Sequence, residues 1–419
     1  MHSRRRPPTL VLAAAAALAA CGDLGPEPSP EPITELPRQL TAAEQCLVAA
    51  DNRFAFNLFR EINAQDTTGG NLFISPLSVG MALGMTYNGA AGTTREAMQQ
   101  TLELQGMTLE EVNQAYRSLI DLLRDLDPRV EFTLANSIWH RHDLSFVTEF
   151  LDRSRDTFDA QVTALDFADP AAASTINAWV DEQTRGRIRE IVTPPIDPIA
   201  IMFLINAIYF KGDWTQQFDA SLTHDAAFQL AGGGQTTVRM MTHDGDVPVR
   251  VLFDTDPLLT VADLAYGGQA YSMTIVMPWE ASDIETLVAQ LDQTRWNGWI
   301  SALDATAMRV SLPKFTLEYE ITLDDVLKAL GMAEAFTSAA DFTNLYRGPE
   351  RAFISEVKHK TFVDVNEEGT EAAAVTSVEI GLTSAPLSIY VDRPFLFVIR
   401  ERLSGTILFV GKMLDPSAS

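Results

Sequence analysis

Few side chains in this 419-residue sequence have the types and spacing that catalysis or metal binding requires. His140 and His142 alternate along an apolar segment and could ligate a metal ion, but a zinc site needs three or four ligands. We therefore expect these histidines on the solvent face of a strand. The sequence contains no G-x-S-x-G, H-E-x-x-H, phosphate-loop or paired-cysteine motif. It predicts no enzymatic activity, no metal site and no cofactor.

Residues 366–376, NEEGTEAAAVT, have secondary-structure preferences that conflict with those of their flanks. The Glu-Ala-Ala-Ala tract favours helix, whereas the flanking TFVDV (residues 361–365) and PFLFVI (residues 394–399) are rich in strand-forming residues. The tract is followed by a stretch of roughly 20 residues without a structural signal, which is unusual in a compact domain unless it is functional or disordered. The residues alone leave two interpretations open: a functional loop, or a helix N-terminus followed by an ordinary loop.

Residues 1–20 have the pattern of a signal peptide. Three arginines (residues 4–6) precede LVLAAAAALAA, an apolar run too short to span a bilayer. The run ends in LAAC (residues 18–21), which resembles the lipobox of bacterial lipoproteins, in which the cysteine becomes the lipidated N-terminus. This resemblance implies an exported protein anchored to the bacterial cell envelope by lipid on Cys21, facing the periplasm or the cell exterior. The alternative is a plain cleavage site that happens to precede a cysteine.

The segment after Cys21 predicts a tether. Residues 22–37 are rich in proline and glutamate and lack aromatic residues, so residues 21–42 are expected to stay extended and solvated. Cleavage after residue 20 removes three arginines and no acidic residue, which changes the formal charge from −25 to −28. That charge excludes a nucleic-acid partner. Cys46 is then the only unmodified cysteine, expected as a small apolar residue of a helix.

Hydrophobic periodicity predicts helices and strands in irregular alternation. An amphipathic helix covers residues 43–62, and a near-wholly apolar helix follows the turn at Ser75 and Pro76. FTLANSIW (residues 132–139) and MFLINAIYF (residues 202–210) are strand-length apolar runs, each with one asparagine inside. We expect these strands to be covered on both faces.

The alternation of apolar and polar residues changes register once, at Pro313. Apolar residues fall on even positions up to Leu312 and on odd positions from Phe315, which predicts a β-bulge. A capping-box-like start at residues 322–325 predicts the next helix. Since no regular βαβ rhythm and no later linker are present, the sequence predicts an α+β fold with one large domain over residues 43–416.

Seven motifs in order resemble the serpin family over nearly the whole body. They are NLFISPLSVGMALGMTYNGAAGTTREAM, ANSIW, INAWVDEQTRGRI, LINAIYFKGDWTQQF, VSLPKF, VKHKTFVDVNEEGTEAAAVT and RPFLFVIRE…GTILFVGKMLDP. The resemblance implies a monomeric single domain of three β-sheets and eight or nine helices, with a metastable native state. It also implies an exposed reactive-centre loop at about residues 367–392, which enters the central sheet as an extra strand once a protease cuts it.

The hinge of that loop must contain small side chains, because alternate residues have to enter a closed core. Counting from Gly369, one face has only small, uncharged residues and the other has the single charge, where water would remain. The first face comprises Thr370, Ala372, Ala374 and Thr376. The second comprises Glu371, Ala373 and Val375.

The spacing of 25 residues from Gly369 to Pro394 resembles that of inhibitory family members and implies a reactive bond at Thr383-Ser384. A register error of one residue would give Leu382-Thr383. Threonine before the cut favours elastase-like or subtilisin-like proteases, whereas leucine would favour chymotrypsin-like ones. A pocket separates such side chains by only about 1 to 3 kcal/mol, so a broad preference is expected.

The resemblance also implies two sets of residues that control loop entry. A polar cluster under the sheet matches Ser75, Ser78, Asn206 and His359. The point where insertion begins matches Trp214 and a pair formed by Lys314 and Glu367. Without the family, His359 would be expected on the surface and Trp214 in ordinary core.

The implied function is irreversible inhibition of a serine protease, which becomes trapped as a covalent acyl-enzyme. The first alternative is a non-inhibitory binding protein with the same fold, although such members tend to have bulky, charged or proline residues in the hinge. The second alternative is inhibition of cysteine proteases, since trapping also works on thioesters.

Overall fold

The computed structural model describes residues 31–370 and 388–418. The helices of this part are α1 (Ala42–Gln65), α2 (Pro76–Gly89), α3 (Gly92–Thr101), α4 (Leu109–Leu123), α5 (Thr148–Phe158), α6 (Ala171–Gln183), α7 (Ile284–Ala289), α8 (Gln293–Ser301) and α9 (Asp324–Leu327). They alternate with strands in no regular rhythm, so the predicted α+β class is confirmed.

Six strands form a sheet in the spatial order β11-β12-β13-β4-β2-β3. Their bounds are β2 (Val130–Arg141), β3 (Gln161–Leu165), β4 (Met202–Asp213), β11 (Phe315–Thr322), β12 (Lys358–Val365) and β13 (Gly369–Thr370). The strand β13 has two residues, and it pairs antiparallel with β12 on one side and with β4 on the other. The hinge of the predicted loop therefore starts inside this sheet.

Ten strands form a second sheet, ordered β1-β16-β15-β9-β8-β7-β10-β6-β5, with β14 beside β10. Their bounds are β1 (Leu72–Ile74), β5 (His224–Gln229), β6 (Gln235–Thr242), β7 (Val247–Thr255), β8 (Leu258–Tyr266), β9 (Tyr271–Pro278), β10 (Asp304–Pro313), β14 (Ser388–Tyr390), β15 (Phe395–Glu401) and β16 (Ile407–Met413). The first half of β10 pairs with β7 and its end pairs with β6. Counting these two parts separately gives the three expected sheets.

The main core lies between the two sheets and contains a cluster of stacked and tilted phenylalanines. Phe73 stacks on Phe397, and Phe315 contacts both Phe395 and Phe397 across the sheets. A smaller apolar cluster, which includes Trp139, Ile176 and Ile205, lies between α6 and the opposite face of β2 and β4. These two strands are covered on both faces, as their apolar sequences predict.

The predicted bulge at Pro313 is wrong. The strand β10 ends at Pro313 in the ten-stranded sheet, and β11 begins at Phe315 in the six-stranded sheet. Because the chain passes from one sheet to the other at Lys314, the core-facing parity changes there. The predicted cap at residues 322–325 also differs, since α9 begins after Leu323 without a side-chain cap.

The N-terminal part of the body differs from its prediction in two ways. The compact unit starts at Pro32, since the amide of Ile33 donates to the carbonyl of Gly268 (2.7 Å) and its side chain packs against the core. Residues 33–42 thus belong to the compact unit, and most of them are exposed to solvent. Cys46 is a free cysteine on the exposed side of α1 rather than an apolar contact.

Candidate functional site at the hinge and the centre of the six-stranded sheet

The hinge enters the six-stranded sheet with a buried side chain at Thr370. Thr370 pairs with Val365 of β12 and with Gly212 of β4. Its side chain is 3% exposed, and its hydroxyl lies 2.9 Å from the hydroxyl of Tyr266. Thr370 thus lies on the core face, which is the face that the sequence pattern assigns to it.

Two glycines make room for this strand. A Cβ atom on Gly369 would overlap the carbonyl oxygen of Gly212 and lie 2.6 Å from the Cα atom of Asp213. A Cβ atom on Gly212 would lie 3.1 Å from the ring of Tyr266. The backbones therefore approach each other more closely than residues with side chains allow.

Trp214 lies directly under the start of the hinge. The indole is 1% exposed and stacks on Tyr266, with ring centroids 4.4 Å apart. Its Nε1 donates to the carbonyl of Asn366 (2.9 Å), and its backbone amide donates to the carbonyl of Glu368 (2.7 Å). Trp214 is thus a core residue that also fixes the backbone immediately before Gly369.

The predicted pair of Lys314 and Glu367 forms at the same place. Lys314 Nζ lies 2.9 Å from Glu367 Oε2, and Thr223 donates its hydroxyl to Oε1 at 2.8 Å. Burial alone would raise the pKa of Glu367, but the hydrogen bonds from Lys314 and Thr223 outweigh it and lower this pKa. Since the lysine side chain is 43% exposed, we expect at most about 1 kcal/mol from the pair.

The four residues of the predicted polar cluster meet beneath the sheet. The amide of Ser75 donates to Nε2 of His359 (2.9 Å), and the Ser75 hydroxyl donates to the carbonyl of Leu408 (2.8 Å). The amide of Ser78 donates to the Ser75 hydroxyl, and the Ser78 hydroxyl donates to the carbonyl of Asn206 (3.3 Å each). The cluster thereby connects the N-terminus of α2 to β4, β12 and β16.

His359 is buried, contrary to the surface position expected from its polar neighbours alone. It lies on the core face of β12, where residues alternate between buried and half-buried positions. Burial lowers its pKa to about 4, so the imidazole is neutral at pH 7 and accepts the Ser75 amide hydrogen. Among the described residues it is a hydrogen-bond acceptor of the cluster rather than a charged group.

Asn136 is a member of this network that the sequence reasoning did not assign. Asn206 donates from Nδ2 to Oδ1 of Asn136 (2.8 Å), and Asn136 donates to the carbonyl of Phe158 (2.7 Å). The signal was present, because each of the two apolar strand segments contains one asparagine. Tyr266, Gly212 and Thr223 were also missed, since nothing in their local sequence distinguishes them.

A cavity of about 840 Å³ adjoins the polar cluster. Residues Met202 to Ile208 of β4 and Lys358 to Thr361 of β12 line it, together with Ser75 and Ser78. In the part of the chain that the structure describes, β4 and β12 pair with β13 and not with each other. The two strands that flank the hinge thus also border the cavity.

The remaining candidate residues form no metal site or lie outside the residues that the structure describes. His142 is exposed, and residues 31–370 and 388–418 contain no group of three potential metal ligands. In the same ranges no helix is long and apolar enough to cross a membrane. The remaining predicted residues fall outside the described ranges: Cys21, Glu371, Ala372, Ala373, Ala374, Val375, Thr376, Leu382, Thr383 and Ser384.

Comparison with known proteins gives consistent matches over the body. The family model described as Serpin (serine protease inhibitor) matches residues 49–416. Leukocyte elastase inhibitor from Bos taurus is 36% identical over 381 residues, which cover 88% of this chain and 99% of that protein. Iripin-2 from Ixodes ricinus is 34% identical over 377 residues, covering 88% of this chain and 94% of that protein.

Solved structures show the same architecture. Human thyroxine-binding globulin complexed with thyroxine has a TM-score of 0.81 at 29% identity, covering 90% of this chain and 100% of that one. Tengpin, a thermophilic serpin in the native state, has a TM-score of 0.80 at 30% identity, covering 92% and 97%.

Proposed function

The chain belongs to the serpin family, and from this premise we propose that it is a suicide-substrate inhibitor of serine proteases. The observation that carries the proposal is the position of β13 between β12 and β4, with the small side chain of Thr370 on the core face. A strand that starts there can lengthen by further pairing on both sides. The protein then acts as a substrate that traps its protease and not as an enzyme.

The observed register supports insertion toward the polar cluster. Since β13 is antiparallel to both neighbours, each later loop position moves one residue back along β12 and β4. A strand continuing in this register would place position 376 opposite both His359 and Asn206. It would run along the cavity that β4 and β12 line. The small hinge residues up to Thr376 fit such a path.

In the proposed reaction the protease serine Oγ attacks the carbonyl carbon of Thr383. The Thr383-Ser384 peptide bond breaks, the leaving amine of Ser384 takes a proton, and an ester joins Thr383 to the protease. Insertion of residues 370–383 then moves the ester by about 45 Å, at about 3.3 Å per residue. The displaced active site loses the geometry that water attack requires, so the ester persists.

We propose an elastase-like or subtilisin-like target with a small apolar pocket. The threonine at the proposed reactive bond and the names of several relatives, leukocyte elastase inhibitors, support this preference. If the bond is Leu382-Thr383 instead, chymotrypsin-like proteases would be preferred.

The anchoring of the protein is a separate proposal. We infer that residues 1–20 are removed, that Cys21 carries lipid, and that the monomeric body is held at the bacterial cell envelope. The motif at residues 18–21 supports this proposal. Ile33, a described residue that is hydrogen-bonded to Gly268, lies 12 positions after Cys21, which is enough for a tether. Mass spectrometry of the N-terminal peptide tests it, and an unmodified Cys21 in the exported protein would refute it.

The proposed inhibition is tested by mixing the body with pancreatic elastase or subtilisin. We expect a complex that survives SDS, together with some inhibitor cut after Thr383. Mass spectrometry of the complex identifies the bond. Cut protein without any trapped species would favour the non-inhibitory alternative, and trapping by papain alone would favour cysteine proteases.

A further inference from the structure

A buried carboxyl group lies between α1, α2 and α4, away from the hinge. Asp51 of α1 is 7% exposed, and its Oδ1 accepts the hydroxyl of Tyr116 of α4 at 2.9 Å. Its Oδ2 is buried without a hydrogen-bond partner among the described residues. A half-satisfied carboxyl in a core is costly when it is ionised. Its protonation state therefore changes how well the three helices pack.

Two glycines of α2 face this pair. A Cβ atom on Gly80 would lie 3.7 Å from both Asp51 Oδ1 and Tyr116 Oη, and one on Gly84 would lie 3.1 Å from the Tyr116 ring. Gly80 and Gly84 are one turn apart and occupy the same face of α2. The backbone of α2 thus lies close to Asp51 and Tyr116, and Phe54 and Phe158 pack against the same two glycines. A change at Asp51 therefore acts on the contact of α2 with α1 and α4.

Helix α2 also contributes Ser75 and Ser78 to the polar cluster. A second set of contacts connects Tyr116 to that cluster through α5. Ser75 and Ser78 lie at the N-terminus of α2. The ring of Tyr116 contacts the ring of Phe158, with centroids 5.4 Å apart, and the Phe158 carbonyl accepts a hydrogen bond from Asn136. Asn136 in turn binds Asn206 of β4. Contacts therefore lead from Asp51 to the polar cluster by two routes, along α2 to Ser75 and Ser78. The other route passes through Tyr116 and Phe158 to Asn136 and Asn206.

Asp51 titrates in the physiological range. Burial raises its pKa to about 7, against the opposing effect of the Tyr116 hydrogen bond. Tyr116 is the titratable group that faces it from α4, and burial keeps the pKa of that phenol well above its ordinary value. From α2 the facing groups are Gly80 and its carbonyl, which do not titrate. Among the described residues that contact it, Asp51 is therefore the group whose charge changes near pH 7.

We propose that Asp51 is a positioning residue that makes opening of the six-stranded sheet depend on pH. When the carboxyl is protonated, α2 packs against α1 and α4 without a buried charge, and the sheet stays closed. The ionised carboxylate raises the free energy of the closed state, so insertion becomes faster from pH 6 to pH 8. This inference rests on the proposed inhibitory function, because it concerns the rate of the same insertion step.

The experiment has to separate the effect of Asp51 on insertion from that of His359. A rise in pH favours opening through Asp51 and disfavours it through His359. Buried His359 is neutral, and its exposure during opening would favour protonation below about pH 6.5. A ratio between two proteins that both contain His359 removes that contribution, and it also removes the pH dependence of the protease. We therefore compare wild type with Asp51→Asn at each pH.

The measurement is the partition between trapped complex and released, cut inhibitor, with the same protease from pH 6 to pH 8. If the carboxyl regains its ordinary pKa as the sheet opens, the trapped-to-released ratio of wild type rises by up to about tenfold relative to Asp51→Asn. Asp121→Asn, which removes an exposed carboxyl from α4, is expected to follow wild type. Tyr116→Phe removes the hydrogen bond that lowers the Asp51 pKa, so the rise moves to higher pH.

A ratio of wild type to Asp51→Asn that stays constant from pH 6 to pH 8 would overturn the inference while leaving inhibition intact. Absence of any trapped complex, in every variant and at every pH, would instead overturn the proposed function. In that case the urea midpoints of wild type and Asp51→Asn still test the packing argument. The midpoint of wild type should fall relative to that of Asp51→Asn as the pH rises through 7. Parallel midpoints would refute the role of Asp51 on their own.

Discussion

Thr370 shows how little space the hinge has for a side chain. Its methyl and hydroxyl groups fill a buried position between two strands, and Tyr266 lies within hydrogen-bond distance of the hydroxyl. A longer or charged side chain at this position would have to carry its polar end into the core or stay outside the sheet. Insertion is therefore more sensitive to residue 370 than cleavage is.

Thr370→Arg is expected to convert the inhibitor into a substrate. The cut after Thr383 should proceed at a similar rate, because the protease contacts a part of the loop 13 residues away. The SDS-stable complex should fall by at least about tenfold, since burying an unpaired guanidinium costs several kcal/mol. Gel analysis with elastase measures both products. Thr370→Ser is the matched control and should trap normally. Equal trapping by the arginine variant would contradict the proposed insertion at residue 370.

The pKa of His359 predicts how stability depends on pH. Its folded pKa of about 4 lies below the ordinary value of 6.5, so the unfolded chain binds more protons between these values. The stability that His359 contributes is complete above about pH 6.5 and is lost as the pH falls toward 4. Relative to His359→Asn, wild type should lose about 2 kcal/mol of unfolding free energy between pH 7 and pH 5.

Urea unfolding of both proteins at the two pH values gives this difference directly. The variant comparison is needed because Asp51 has a raised pKa and contributes the opposite trend. A difference that does not change with pH would show that His359 is accessible to protons in the folded protein.

At the scale of elements, the determining contact is the close approach of β13 to β4. Hydrogen bonds from Trp214 and a salt bridge from Lys314 hold residues 366–368, so that the next two residues enter between β12 and β4. The salt bridge is half-exposed and contributes little free energy. Its effect is on the direction of the chain, and the glycines at 212 and 369 then permit pairing.

Gly369→Ala is expected to expel β13 from the sheet. The added methyl group would overlap the Gly212 carbonyl, which belongs to a strand backbone and cannot move aside without breaking its own pairing. Hydrogen exchange of the Thr370 amide should become at least about tenfold faster. Gly298→Ala on α8 is the control, because a methyl group there meets no atom within 4 Å. An unchanged exchange rate of the Thr370 amide would show that the backbone of β4 shifts to accommodate the methyl group.

At the scale of the whole molecule, the two sheets share one continuous core, and the six-stranded sheet has its strands β12 and β4 joined through a two-residue strand. Further pairing along these strands would add hydrogen bonds on both sides of the inserted segment. The intact protein is thus expected to be less stable than the form in which the loop has been cut and inserted.

Cleavage within residues 377–386 should therefore raise the melting temperature. Roughly ten inserted residues at about 1 kcal/mol each correspond to an increase of about 10 °C or more for a domain of this size. Calorimetry of the intact and cut proteins, side by side, gives the comparison. A cut protein that melts at or below the temperature of the intact one would exclude insertion. Thr370→Arg supplies the control, since it should be cut without gaining this stability.

The sequence alone determined the class of fold, the family and the order of the functional segments. Helix and strand periods are local properties, and the seven motifs span the body, so the match to the serpin family does not depend on long-range contacts. The small residues after Gly369 likewise predict insertion, since any strand that enters a packed core needs small side chains.

Only the tertiary structure decided which side chains are buried and what they contact. His359 follows a polar sequence but lies on the core face of β12, and Asn136 meets Asn206 because β2 and β4 pair in that register. The parity change at Pro313 has the same local pattern whether it marks a bulge or a passage between sheets. The pKa of Asp51 is raised only when the neighbouring helices bury it. Burial and desolvation arise from residues far apart in sequence, so no local pattern encodes them.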